Sequence, residues 1–224
     1  MLTGPPHSGK STTLDWLKYS WKNPIHPDRE HQVLSESAIR LIRTLNQLCG
    51  LERCASWRKE YNSAWQALVT SMQVEEEELN RSTKDVDIFI DSSPLDCLAF
   101  VEAYGGVADS FLKQHCGYFP DGSPRRYDLV FYHELIQPFD SRAGSGRLQS
   151  KEDCLRIGNA QREVYTRYGM PPIYLPPISL QKRVDIIKQA VQDHLIGKFN
   201  MQGTTTGRFN SKEPNYSNLP RDKE

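Results

Sequence analysis

The run Gly4-Pro5-Pro6-His7-Ser8-Gly9-Lys10-Ser11, with Thr12 after it, constrains this chain more than any other stretch. Glycine at both ends of a six-residue interval lets the backbone take conformations closed to other residues, so that successive N–H groups turn inward. A helix beginning near Lys10 adds its positive N-terminal end. Such a loop is a cradle for phosphate. Lys10 is placed to reach the outer phosphates as a point charge, and the Ser11 hydroxyl to complete the shell of a magnesium ion. Gly4, Pro5, Pro6, His7, Ser8, Gly9, Lys10, Ser11 and Thr12 are therefore the expected nucleotide-binding residues, with His7 given no chemistry of its own. Only three residues precede Gly4, fewer than the about five of an ordinary strand.

The rest of the chain alternates helix and strand. Apolar spacing predicts helices over 11–21, 35–49 and 52–74, and from Pro94 through Tyr104. Further helices are expected over 107–115, 151–168 and 180–195. Short strands are predicted over 31–34, 86–90, 129–132 and 173–175. The four like charges of Glu75 to Glu78 read as a solvated helix end or loop. Alternation of this kind argues for parallel βαβ units, with ligands at the carboxyl ends of the strands. With 224 residues, one α/β domain is expected over 1–196. Beyond it, 197–224 loses apolar periodicity and reads as an extended or disordered tail.

Twenty-eight basic and 28 acidic residues give zero net charge, so no global field favours nucleic acid or an acidic membrane. Five cysteines at irregular spacing, without a CxxC pair, suggest neither a disulfide framework nor a zinc site. No charged leader and no span of about 18 apolar residues is present. A soluble, cytoplasmic protein is the expectation.

The cradle, SESAIRLI after the second strand, FIDSSPLDCLAF, YDLVFYHEL and a following arginine-bearing loop resemble the P-loop nucleoside and nucleotide kinases. The ribosyl-nicotinamide-kinase-like branch is the nearest in pattern, over residues 1–195. The resemblance implies a five-stranded parallel sheet with helices on both faces, and phosphoryl transfer from ATP, with Mg2+, to a small acceptor. A nucleoside or (deoxy)nucleoside monophosphate is the expected acceptor class.

Asp91 ends the third strand where such kinases hold a carboxylate near magnesium and phosphates; helix capping is its other reading. Ser92 stands where these kinases usually carry an arginine. Asp96 matches a second acid of the pattern or serves the helix dipole, and Glu36 fits a general base facing the acceptor or ordinary capping. Arg142 and Arg147 flank a glycine-bearing loop, and Arg147 matches the family's lid position. Arg125 and Arg126 read as solvated. Trp57, Tyr61 and Trp65 share a helix face that suits core packing or base stacking. The segment from Gly203 to Arg221 resembles a stretch of family A DNA polymerases, which suggests a replication protein as a partner for the tail; the five basic and three acidic side chains of residues 198–224 are too few for strong phosphate binding.

Overall fold

The computed structural model describes residues 1–81, 85–108, 110–118, 121–125, 127–136 and 149–202, without the side chains of 198–202. Strands β1 (Leu2–Thr3), β2 (Glu30–Leu34), β3 (Val86–Ile90), β4 (Phe131–His133) and β5 (Ile173–Leu175) all pair in parallel. β2 pairs with β3 from Glu30 opposite Val86 to Leu34 opposite Ile90, and β4 lies between β1 and β5. A parallel bridge between Leu2 and Asp91 joins the two groups, and the Ser92 N–H donates to the Leu2 carbonyl at 3.0 Å. The resulting order is β2-β3-β1-β4-β5. Short as it is, β1 is held firmly, because the Met1 amino group donates to the Leu129 carbonyl at 2.8 Å and the Met1 carbonyl accepts from Phe131 N–H at 2.9 Å.

Eight helices are described: α1 (Lys10–Ser20), α2 (Ser37–Cys49), α3 (Leu51–Glu60), α4 (Asn62–Arg81), α5 (Pro94–Ala103), α6 (Ser110–Gly117), α7 (Lys151–Arg167) and α8 (Leu180–Gln202). Their ends follow local chemistry. Ser93 and Asp96 form a capping box with Pro94 at the first helical position, and Ser150 and Asp153 form another at α7. Gly105 and Gly169, at φ 69° and 73°, lie just past the ends of α5 and α7 in the left-handed conformation that glycine adopts without strain.

Strand alternation sends successive side chains to two cores, one on each face of the sheet. Leu2, Phe89, Phe131 and Leu175 pack with Leu14 and Leu17 of α1 and Ile187 of α8. Met1, Val130 and the partly buried Ile90 point the other way, into a core built from α4, α5 and α7 with Leu95, Leu98, Val101, Val164 and Tyr165. A leucine buried as fully as Leu2, Leu17 or Leu95 contributes about 1.5–3 kcal/mol. Helices thus cover both faces of a parallel sheet, as the sequence predicts.

Three sequence expectations need correction. The single helix over 52–74 is two helices, broken at Tyr61 (φ −115°, ψ 49°). The acidic run is not a solvated end: α4 continues through it to Arg81, and Glu77 is buried. Arg125 is not solvated either, since it forms a buried ion pair with Glu77, and the carboxylate also accepts from Tyr127 at 3.1 Å and from Gln73 at 3.1 Å. Burial raises the Glu77 carboxyl, and Arg125, Gln73 and Tyr127 oppose the rise. Like charges adjacent in sequence leave a helix in different directions, so one of four can face inward. The last helix extends to Gln202, and 203–224, including the polymerase-like segment, lies outside the described residues. No described helix is long and apolar enough to cross a membrane.

Candidate functional site

Because the strands are parallel, the segments after them gather along one edge of the sheet. In strand order that edge carries Glu36 after β2, Asp91 after β3, the Gly4–Ser11 loop after β1 and His133 at the end of β4. The chain after β1 enters α1 on one face, while the chain after β3 enters α5 on the other. Such diverging connections mark the switch point at which parallel sheets take ligands, and here it falls between β1, which leads into the cradle, and β3, which leads into Asp91.

The loop has the backbone its composition predicts. Gly4, His7 and Gly9 have φ of 134°, 65° and 81°. A Cβ on Gly4 would strike the His133 carbonyl oxygen, which makes glycine obligatory there. Gly9 caps α1 without any side-chain hydrogen bond, and no acidic residue occupies the first turn. The helix therefore presents bare amides at its positive end, a ready anion site.

Lys10, 8% exposed, donates from Nζ to the Gly4 carbonyl at 2.7 Å and the Pro5 carbonyl at 3.2 Å. Two of its three donors thus hold the ammonium against the loop, leaving one more. Ser11 and Thr12 are exposed in the first turn of α1, Pro5, Pro6 and Ser8 are buried, and His7 is half-buried. The buried Ser8 hydroxyl has no hydrogen-bond partner.

Asp91 is buried at the β3–β1 seam, with Ser92 directly after it in the left-handed region at φ 67°. Ser92 Oγ lies 3.4 Å from Asp91 Oδ1. Glu36 occupies the N-cap position of α2 and makes no capping bond. Its charge acts on the buried Cys97 thiol of α5, which burial above all pushes up to about 12.

Asp96, by contrast, is spent on the fold. Its oxygens accept from Thr3 Oγ1, from Gln161 Nε2 at 2.7 Å, from Tyr165 OH at 2.7 Å and from the Ser93 N–H at 2.7 Å. One carboxylate ties β1, α5 and α7 together. Burial raises its carboxyl, while Thr3, Tyr165, Ser93 and Lys10 oppose that rise.

Trp65 is buried in the α4–α5 core, Trp57 packs against it edge-on at 6.2 Å, and Tyr61 is half exposed. Trp65 and Trp57 of that face thus belong to the core, and Tyr61 lies outside it. Arg126, Arg142 and Arg147 lie outside the described residues.

Two residues of the edge were not anticipated from sequence. His133 is fully buried, and its Nδ1 lies 3.4 Å from Arg183 Nη1. Arginine can only donate, so Nδ1 accepts and the proton sits on Nε2. Burial, then Lys10 and Arg183, lower the ring to about 3 and keep it neutral. Arg183, on the first turns of α8, also donates to the Gly9 carbonyl at 3.3 Å. His133 was legible as a polar residue ending a parallel strand; Arg183, 174 residues from Gly9 in the chain, carried no signal.

The exposed Ser11 hydroxyl and the Asp91 carboxylate are oxygen donors, which suit a hard cation such as Mg2+ held mainly by water and phosphate. Among the described residues no group of three His, Cys, Asp or Glu gathers as a protein cage for a metal.

Among solved structures, a deoxyadenosine kinase from M. mycoides, with products dCMP and a flexible dCDP bound, superposes with a TM-score of 0.58 at 13% identity, covering 86% of this chain and 97% of that one. The likeness is one of fold, that of the P-loop nucleotide kinases. No curated protein matches the sequence. A family model described as an AAA domain matches residues 1–183, most of the chain, and the protein belongs to that family.

Proposed function

We propose that this protein transfers a phosphoryl group from ATP to a small acceptor, a nucleoside or (deoxy)nucleoside monophosphate. The single observation that carries the reading is the juxtaposition, along one sheet edge, of a bare-amide cradle with its buried lysine and two carboxylates, Asp91 and Glu36, at the ends of neighbouring strands. Phosphoryl transfer asks little covalent chemistry of a protein; it asks for position and for positive charge around the equatorial oxygens. Gly4 to Thr12 bind the triphosphate through main-chain amides, and Lys10 neutralises its outer groups. Ser11 and Asp91 would hold magnesium, which would supply further charge neutralisation. Glu36 or Asp91 accepts the proton of the attacking hydroxyl, which requires an approach within about 3 Å. Arg147 is assigned, on sequence alone, the guanidinium that meets developing charge. The fold likeness to a deoxyadenosine kinase supports the acceptor class.

Ser92 favours a second reading. With serine in place of the family's arginine, one cation is missing beside Asp91, which suits an ATP-binding regulatory or replication-accessory module that does not turn over an acceptor. A panel of nucleosides and nucleoside monophosphates with radiolabelled ATP, using Lys10→Ala as control, decides between them. Transfer to at least one acceptor, lost in the control, is the expected result. Background hydrolysis with every acceptor, together with retained ATP affinity and capture of a polymerase that depends on residues 198–224, establishes the module instead.

A further inference from the structure

Arg183 is 6% exposed, and no described carboxylate pairs with it. Its partners are the Gly9 carbonyl and the neutral His133 ring, and its Nε–H has none. Dipoles of this size do not balance a full charge removed from water, and a buried ion normally finds an opposite one. The surroundings make the deficit worse. Arg183 stands in the first turn of α8, which carries no acidic residue and lies at the helix's positive end. Gly9, which it contacts, caps the N-terminus of α1 without a side-chain hydrogen bond, and Lys10 is the next residue.

The uncapped N-terminus of α1 and the buried Arg183 guanidinium therefore meet at Gly9, with the buried Lys10 holding the same loop at Gly4 and Pro5. Two buried polar atoms there have no partners, Arg183 Nε and Ser8 Oγ. The close fit is specific, since a Cβ on Gly9 would sit 2.6 Å from Arg183 Nη1 and 2.8 Å from Ile136 Cδ1.

We infer that Arg183 is a second phosphate-binding cation of the cradle, delivered from the last helix to lie beside Gly9, and that its counter-charge is the polyphosphate of the bound nucleotide. This assignment rests on the cradle reading above. It separates Arg183 from a structural clamp, because a clamp is complete in the free protein whereas this residue gains its ion partner only on binding.

Calorimetric titration of the full chain with inorganic tripolyphosphate, ATP and adenosine tests it, alongside thermal unfolding without ligand. Arg183→Gln is expected to weaken tripolyphosphate and ATP by the same factor, about 10- to 100-fold for a charge-assisted contact, with adenosine unaffected and Arg183→Lys intermediate. Neither Arg183→Gln nor Arg183→Met is expected to lower Tm, since removing an uncompensated buried charge relieves a cost. Tripolyphosphate affinity equal to wild type overturns the assignment, as does a loss confined to ATP, which would place Arg183 against the base. A variant that melts earlier or fails to fold makes Arg183 a clamp and overturns it too. If folded wild-type protein takes up neither tripolyphosphate nor ATP at millimolar ligand, the cradle itself fails, a result distinct from any change on mutation.

Discussion

Arg125 and Arg183 are buried alike, at 2% and 6% exposure, yet their surroundings are opposite. Arg125 meets Glu77 directly, gives its Nε–H to the His115 carbonyl at 3.0 Å, and shares its carboxylate with Tyr127 and Gln73. Arg183 meets a carbonyl and an imidazole and no described carboxylate. A buried cation whose counter-ion lies inside the protein belongs to the fold. One that lacks it, beside the uncapped N-terminus of α1, belongs to binding. Among the carboxylates, Asp96 accepts from donors of three elements, and Asp91 and Glu36 stand after β3 and β2 along the same sheet edge as the cradle.

The strongest test of the contrast is Glu77→Gln. Stranding the Arg125 charge should cost about 3–5 kcal/mol, seen as a fall in Tm on the order of 6–20 °C for a chain of this size, while the folded fraction keeps its tripolyphosphate affinity. A parallel loss of anion binding would erase the distinction between the two arginines. Next comes Lys10→Ala, expected to weaken ATP by about 100-fold, or about 2.7 kcal/mol, with little change in the unliganded Tm. A large drop in Tm with preserved ATP affinity would move Lys10 to the structural side.

The smallest effect sharpens the picture of His133. Its ring stays neutral in the folded protein down to about pH 3, whereas the unfolded chain takes up a proton below the ordinary 6.5. More protons bound on unfolding means that stability falls as pH falls through that window, at up to about 1.4 kcal/mol per pH unit. Above pH 6.5 the group contributes no slope. Asp96 and Glu77, whose carboxyls are raised, act in the opposite sense, so the difference between wild type and His133→Asn isolates the ring. Equal slopes for the two proteins would show that His133 is not held neutral between Lys10 and Arg183.

Much of the site was legible early because it is local. Gly4, Gly9, Lys10 and Ser11 sit where the loop's own backbone requires them, and β3 and β5 have the bounds that their apolar runs predict. Glu77 and Arg125 were misread because charge in sequence says nothing of the direction in which a helix aims it. They lie 48 residues apart, and only the packing of α4 on the core brings them together. Asp96 was ambiguous for a similar reason, since capping and phosphate chemistry use the same residue type at the same spacing, and only Gln161 and Tyr165 of α7 show that its oxygens are occupied.

Sequence by itself determined the cradle, the alternation of strand and helix, and the helix caps, because each depends on residues within a turn or two of one another. Tertiary structure alone decided the strand order, the identity of the buried ion pair and the arrival of Arg183 beside Gly9 from the far end of the described chain. Those outcomes depend on which faces stack, and the electrostatic cost of a buried charge exists only once the stacking has removed the water.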